Sequence, residues 1–258
     1  MLFHNILIHA MNSLTKNQRI QYLDAMGITV WVRRSPYIEP VPAVLPADSQ
    51  KIKTMNNQEI LPTLAEPAPS QADWETLIQE VSQCTACELH KTRTQTVFGV
   101  GNRQTACLFV GEAPGASEDA QGEPFVGRAG RLLNEMLRAI QLSREQIFIA
   151  NILKCRPPSN RDPDHGEMAC CTPFLRRQIE LIQPKLIVAL GRIAAQYLLA
   201  TTTAIGKLRG KRFEYADTGI PLIPTFHPAY LLRSPQQKKV AWQDLQLIQQ
   251  IISGNDKP

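Results

Sequence analysis

The sequence predicts an open, mostly parallel α/β sheet covered by helices on both faces. Two observations predict it. Short, wholly apolar runs alternate with helix-length patterns from about residue 72 onward, the order expected of βα units. The runs are apolar at every position rather than at every second one, as for strands buried on both faces.

The elements follow in order. Asp73 is placed to cap a helix carrying Trp74, Leu77, Ile78 and Val81. Ala106–Val110, ending at Gly111, reads as a buried strand, and Arg131–Ile140 as a helix. Gln146–Ala150 is a second strand, followed by a helix over Phe174–Ile182 that Pro184 stops. Lys185–Leu190 is a third strand and Ile193–Ala200 a helix. Arg212–Tyr215 and Ile220–Thr225 read as later strands, and a helix over Trp242–Ile252 closes the chain.

The 70 residues before this pattern differ. Ser13 or Thr15 can start a helix that Gly27 stops near Met26, and Ile28–Val32 reads as extended. Ser35–Ser70 holds seven prolines and one aromatic residue, Tyr37, too little apolar surface to offset the entropy of ordering. The expected organisation is therefore an arm over 1–34, a proline-rich linker over 35–71 and a domain over 72–253.

Composition narrows the function classes. Hydrophobic residues make up 43% and charged residues 20% of 258, as in ordinary soluble globular proteins. No run approaches the ~20 apolar residues of a membrane helix. The start lacks the charged region of a secretory signal, so the expected compartment is the cytoplasm. The net charge of +5 permits a polyanionic partner without demanding one. Six cysteines in a reducing compartment are not a disulfide framework.

Two constellations carry the chemistry. In sheets of this kind ligands bind at the carboxyl ends of the strands, and three strand ends here are unusual. They read Gly111-Glu112-Ala113-Pro114-Gly115 with Glu118 and Asp119 behind, then Asn151 followed by Lys154-Cys155-Arg156-Pro157-Pro158, then Phe226-His227-Pro228-Ala229-Tyr230-Leu231-Leu232-Arg233. The second constellation is Cys84-x-x-Cys87 together with Cys155 and the Cys170-Cys171 doublet. Four thiolates from this set can hold Zn²⁺ or an iron–sulfur cluster. Cys107, inside an apolar strand, reads as core.

From about Ala72 to Ile252 the chain resembles the family 4, iron–sulfur uracil-DNA glycosylases. The matching pieces are Cys84-Thr85-Ala86-Cys87, Val97-Phe98-Gly99, Gly111 through Asp119, Gly122-Glu123-Pro124-Phe125-Val126-Gly127-Arg128-Ala129-Gly130, Asn151 through Pro158, and His227-Pro228-Ala229-Tyr230-Leu231-Leu232. The resemblance implies a three-layer α/β/α fold with a four-stranded, mainly parallel sheet. It implies a [4Fe-4S] cluster rather than zinc, held by Cys84, Cys87, Cys155 and Cys171. Cys171 is chosen over Cys170 because it precedes Thr172-Pro173-Phe174-Leu175.

The implied activity is hydrolysis of the N-glycosidic bond of uracil in DNA, releasing uracil and leaving an abasic site. Gly111 and Ala113 would border the base, Phe125 would stack on it, and the Asn151 amide would match its O4 and N3–H edge. His227 would donate toward O2 as charge develops on the leaving base. Glu112 or Glu118 would assist the attacking water. Ala113 occupies the position where the better-known family 1 enzymes carry an aspartate.

Leu231, Leu232 or Tyr230 would be the wedge that fills the vacated stack, and Arg233 with Lys207, Arg209 and Lys211 would meet phosphate. The expected partner is uracil-containing DNA, met by a monomer. Residues 21–36 resemble the start of the psi subunit of the bacterial replicase clamp loader, which implies a replication or repair protein as a partner of the arm. Competing readings are a glycosylase for another deaminated base, a non-catalytic iron–sulfur protein that binds nucleic acid, and an electron carrier.

Overall fold

The computed structural model describes residues 71–216 and 218–254. The expected arm over 1–34, and the expected linker up to residue 70, lie outside the described residues.

The chain enters through helix α1 (Gln71–Gln83), which buries Trp74, Leu77 and Val81. A short strand β1 (Val100–Gly101) precedes the first central strand, β2 (Cys107–Gly111). Helices α2 (Ala116–Gln121) and α3 (Arg128–Ala139) lead to β3 (Phe148–Asn151). Then come α4 (His165–Ile182), β4 (Leu186–Leu190), α5 (Arg192–Leu198) and α6 (Ile205–Leu208). Strands β5 (Phe213–Glu214) and β6 (Pro221–Thr225) precede α7 (Pro228–Arg233) and the closing α8 (Lys238–Ile252).

The six strands form one sheet in the order β1-β3-β2-β4-β6-β5. The four central strands pair in parallel, and the two-residue edge strands β1 and β5 run antiparallel to their neighbours. The expected four-stranded parallel sheet is thus present with an antiparallel edge added on each side. Strands this short carry almost no periodic signal, so spacing alone places their edges poorly.

Strand alternation divides the core. Leu108, Val110, Phe148, Ala150, Ile187 and Ala189 face one way, against α1, α4 and α5. Cys107, Phe109, Ile149, Val188, Leu190 and Ile223 face the other, against α3 and α8. Every residue of β2, β3 and β4 is buried, which explains their uniform apolarity.

Two helix starts differ from expectation. Asp73 lies inside the first turn of α1 rather than at its cap, where its charge still complements the helix dipole. Helix α4 begins nine residues earlier than the expected Phe174. Its true start is the Asp164 cap, which accepts from the Glu167 N–H at 2.7 Å while the Glu167 side chain accepts from the Asp164 N–H. The helix continues through Pro173, although proline supplies no N–H to the ladder. The tertiary consequence is that α4 carries Cys171 at one level and Gln178 two turns further on.

Parallel register sets the carboxyl ends of the central strands along one rim. Gly111 stands opposite Asn151, and Leu190 opposite Thr225. The loops after these four strands build the site.

Candidate active site and thiol cluster

A cleft of about 850 Å³ opens at this rim, and Glu112, Asn151, Phe125, Gly191 and His227 all line it. Asn151 is 2% exposed, and its Oδ1 is the buried side-chain polar atom without a hydrogen-bond partner among the described residues. Such an atom is costly unless something else satisfies it. Gly111 makes room for it: a Cβ there would sit 2.3 Å from Asn151 Oδ1 and 2.8 Å from the Phe125 ring. Ala113 borders the same cleft and packs against the core.

Phe125 is 6% exposed and holds a left-handed backbone, φ 55°. That conformation is uncommon for an aromatic residue and marks strain. Its ring centroid lies 5.5 Å from that of His227, with the planes tilted by 33°.

His227 caps α7. Its Nδ1 accepts from the Ala229 N–H at 3.1 Å, so in the neutral ring Nε2 carries the proton and can donate. Burial pushes its pKa down to about 4, Arg233 pushes the same way, and Glu118 opposes them. The imidazole is therefore neutral near pH 7. Gly191 (φ 95°) closes the backbone against it, and a Cβ at Gly191 would stand 2.8 Å from the His227 Cβ.

The two acidic candidates separate. Burial, followed by the nearby Asp162, raises the Glu112 pKa to about 7, and Arg192 offsets part of this. Asp162 and Arg192 form their own ion pair at 2.6 Å. Glu118 has another use. Its Oε1 accepts from the Val126 and Gly127 N–H groups, each at 3.0 Å, so it holds the turn that carries Phe125. Glu112 and Glu118 both line the cleft, and one carboxylate oxygen of Glu118 is committed to these amides.

The expected DNA-contacting residues divide in the same way. Tyr230 is partly buried and Arg233 exposed at the cleft, and Leu232 is partly buried on the same short helix. Leu231 is 1% exposed and packs into the core, so it is not available as a wedge. The short helix α7 turns that one side chain inward. Lys207 and Lys211 are exposed. Arg209 is not a phosphate ligand in this fold. Its Nε donates to Asp244 Oδ2 at 3.0 Å, its Nη2 donates to the Val240 carbonyl at 2.8 Å, and the guanidinium lies over the Phe226 ring at 5.7 Å. Asp244 is fully buried and also accepts from Thr225 Oγ1. A buried carboxylate needs that cation, and the basic run 207–212 concealed the need.

Along the segment after β3, five thiols line one small hollow: Cys84, Cys87, Cys155, Cys170 and Cys171. Cys107 lies apart from them, buried in β2. Arg93 Nη1 donates to Cys155 Sγ at 3.1 Å, and the Lys154 N–H donates to Cys171 Sγ at 3.1 Å. Cys170 Sγ instead donates to the Ala86 carbonyl at 3.4 Å. Cys171 is buried, whereas Cys84, Cys87 and Cys170 are partly exposed.

Burial raises the thiol pKa values of Cys87, Cys155 and Cys171, the last to about 12. These groups become thiolates readily only beside added positive charge. Among the described residues no three side chains converge as a ready-made ion site.

Lys154 joins the two regions. It is 1% exposed, and its Nζ donates to the Asn151 carbonyl at 2.8 Å and to Gln178 Oε1 at 2.7 Å. Gln178 Nε2 in turn donates to the Phe98 carbonyl. The sequence singled out Lys154 only as part of the second strand end, and it gave no signal that Lys154 and Gln178 pair. Gly191 had a signal, a glycine directly after an apolar strand and before a helix.

Comparison with known proteins agrees with this geometry. The sequence profile of the Uracil DNA glycosylase superfamily matches residues 98–246. A type-4 uracil-DNA glycosylase of Archaeoglobus fulgidus is 45% identical over 188 residues, covering 70% of this chain and 94% of the relative. One from Thermotoga maritima is 45% identical over 181 residues, with 69% and 94% covered. A type-5 uracil-DNA glycosylase of Pyrobaculum aerophilum is 30% identical over 151 residues, with 51% and 64% covered. The shared span includes the strand ends and all the loops of the cleft, and the chain belongs to the uracil-DNA glycosylase superfamily, within its type-4 group.

Proposed function

We propose that this chain excises uracil from DNA, hydrolysing the N-glycosidic bond to release the free base and leave an abasic site for repair. The observation that carries the reading is the unpaired, buried Asn151 Oδ1 beside the Phe125 ring. An acceptor left unmet in a cleft calls for a donor on the ligand. Uracil offers N3–H there with O4 beside it for the amide N–H, whereas cytosine presents the reversed pattern, a bare N3 beside a 4-amino donor. A mismatched edge leaves buried groups unpaired, which is how such sites discriminate.

An extruded base would enter the cleft and stack on Phe125. The Asn151 amide would read its edge. Neutral His227 would donate through Nε2 to O2, where negative charge grows as the glycosidic bond lengthens. Glu112, ionised above about pH 7, would orient and deprotonate the attacking water. Tyr230 and Leu232 would fill the gap in the stack, while Arg233, Lys207 and Lys211 would approach phosphate.

The thiols fit an iron–sulfur cluster by donor chemistry, with Cys84, Cys87, Cys155 and Cys171 as its [4Fe-4S] ligands. Thiols spread around a hollow suit a group that brings its own core of atoms, rather than a single ion. When bound, the cluster supplies metal–sulfur bonds that tie the Cys84–Cys87 loop, the segment after β3 and α4 together. The hydrogen bonds from Arg93 and the Lys154 N–H would tune it.

The chain would work as a cytoplasmic monomer, with the arm over 1–34 reaching a replication or repair protein through the linker over 35–71. Among the described residues no helix is long and apolar enough to cross a membrane.

The test is release of free uracil from a U·G oligonucleotide by iron-replete protein, with Asn151→Ala alongside. Release by the wild type and its loss in the variant is the expected result. No release from the wild type overturns the reading, and full release by the variant removes Asn151 from its role.

A further inference from the structure

We infer that Arg144 is a positioning residue for the base platform: it holds Phe125 in the left-handed conformation that presents the ring to the cleft. The inference rests on Phe125 being the surface against which uracil stacks.

Phe125 pays for its position in backbone strain, so the surrounding structure must over-determine the turn. Two side chains grip it from opposite ends. Arg144 reaches it from the short helical turn before β3. Its Nη2 donates to the Pro124 carbonyl and its Nη1 to the Phe125 carbonyl at 3.2 Å, with Asn134 Oδ1 of α3 accepting at 3.4 Å. Glu118 takes the next two amides, Val126 and Gly127. The carbonyls on one side of the ring and the N–H groups on the other are thereby all engaged.

The first turn of α3 also closes on the loop, since a Cβ at Gly130 would stand 1.6 Å from the Phe125 carbonyl oxygen. Arg144 is half-buried, and its planar fork spans two carbonyls as a lysine ammonium cannot. Without the fork, the carbonyls of 124 and 125 lose their donors and the turn can relax to negative φ. The ring then swings away from His227, its neighbour at 5.5 Å.

The experiment measures inhibition by free uracil, the product, because that reports the base pocket without chemistry or DNA contacts. Iron-replete wild type, Arg144→Gln, Phe125→Ala and the double variant are compared, with thermal midpoints recorded. Phe125→Ala is expected to weaken inhibition roughly 5- to 100-fold and Arg144→Gln about 3- to 10-fold, on the scale of base–aromatic stacking. KM for a uracil oligonucleotide is expected to rise with the inhibition constant. In the Phe125→Ala background, Arg144→Gln should change neither.

Unchanged inhibition in folded Arg144→Gln overturns the positioning role while leaving the platform intact. An equal loss in both backgrounds also overturns it, since it shows an effect not routed through Phe125. Unchanged inhibition in Phe125→Ala overturns the platform itself and the inference with it. Should Arg144→Gln fail to fold, Arg144→Lys carries the same comparison, with a smaller loss expected because the charge remains and the double contact does not.

Discussion

The cleft and the thiol cluster share one five-residue segment. Asn151 ends β3 facing the cleft, and Cys155, four residues on, faces the thiols. Each region has an unmet demand, but of a different kind. In the cleft it is a single acceptor, Asn151 Oδ1, held beside a strained aromatic turn. Among the thiols it is latent, since burial raises the pKa values of Cys87, Cys155 and Cys171 and keeps them neutral, and they would ionise only beside a bound cation. A transient ligand can meet the first demand and leave. On the proposed reading a resident cluster would meet the second. The contrast would then separate a site for turnover from a site for stability, and it can be broken in four ways.

The largest effect belongs to the thiols. Replacing Cys155 by serine should abolish iron binding and lower stability by about 3–4 kcal/mol, the loss expected when a ligand bound at hundreds of times its Kd is removed. Iron content and chemical denaturation check it. Full stability without iron would end the proposed division of labour.

Next come the cleft residues. Asn151→Ala and His227→Ala should each lower uracil release by about 10²- to 10³-fold, as loss of a donor or acceptor preorganised for the transition state does. Single-turnover assays at matched iron content check it. Lost iron in either variant would show that the cleft and the thiols are not separable, with Lys154 as the obvious link.

The pH dependence is smaller. The Glu112 pKa is raised to about 7, so the carboxylate form is present above that pH and lost below it. If Glu112 serves the water, the rate should fall about tenfold from pH 8 to pH 6, and Glu112→Gln should be slow and flat over that range. His227, with a pKa pushed down to about 4, should add no titration of its own there. A wild-type rate that does not change over that range would exclude Glu112 as the base.

The smallest effect concerns surface charge. Replacing Lys207 and Lys211 together by alanine should reduce the slope of log binding constant against log salt by up to about 1.8 on duplex DNA, at ~0.9 per phosphate contact. Arg209→Ala should leave that slope alone and instead lower stability, because it strands a buried Asp244. Salt titrations and denaturation curves on the same variants separate the two.

That last pair shows where sequence reading stops. Lys207, Arg209 and Lys211 form one basic run, and alternation along a run says nothing about which side chain finds Asp244, 35 residues away. Leu231 and Leu232 pose the same problem on a helix of six residues, too short for its buried face to be read from periodicity. Glu118 read as an acid near the water, and the fold adds a second use for it, binding amides eight and nine residues further on. In each case the deciding partner is distant in sequence.

The local chemistry was legible in the chain itself. Runs of Val, Ile and Leu marked the four parallel strands, because a strand covered on both faces must be apolar throughout. Gly111, Asn151 and His227 stood out together, because three unusual strand ends meet at one rim of a parallel sheet. Cys84-x-x-Cys87 pointed to metal chemistry by local spacing alone. Tertiary structure alone decided which groups are left unsatisfied. The orphaned oxygen of Asn151, the fork of Arg144 on the Phe125 turn and the ammonium of Lys154 between two sites all depend on burial and on contacts across the fold. Burial raises the cost of an unpaired group, and only the assembled packing shows which group lacks its partner.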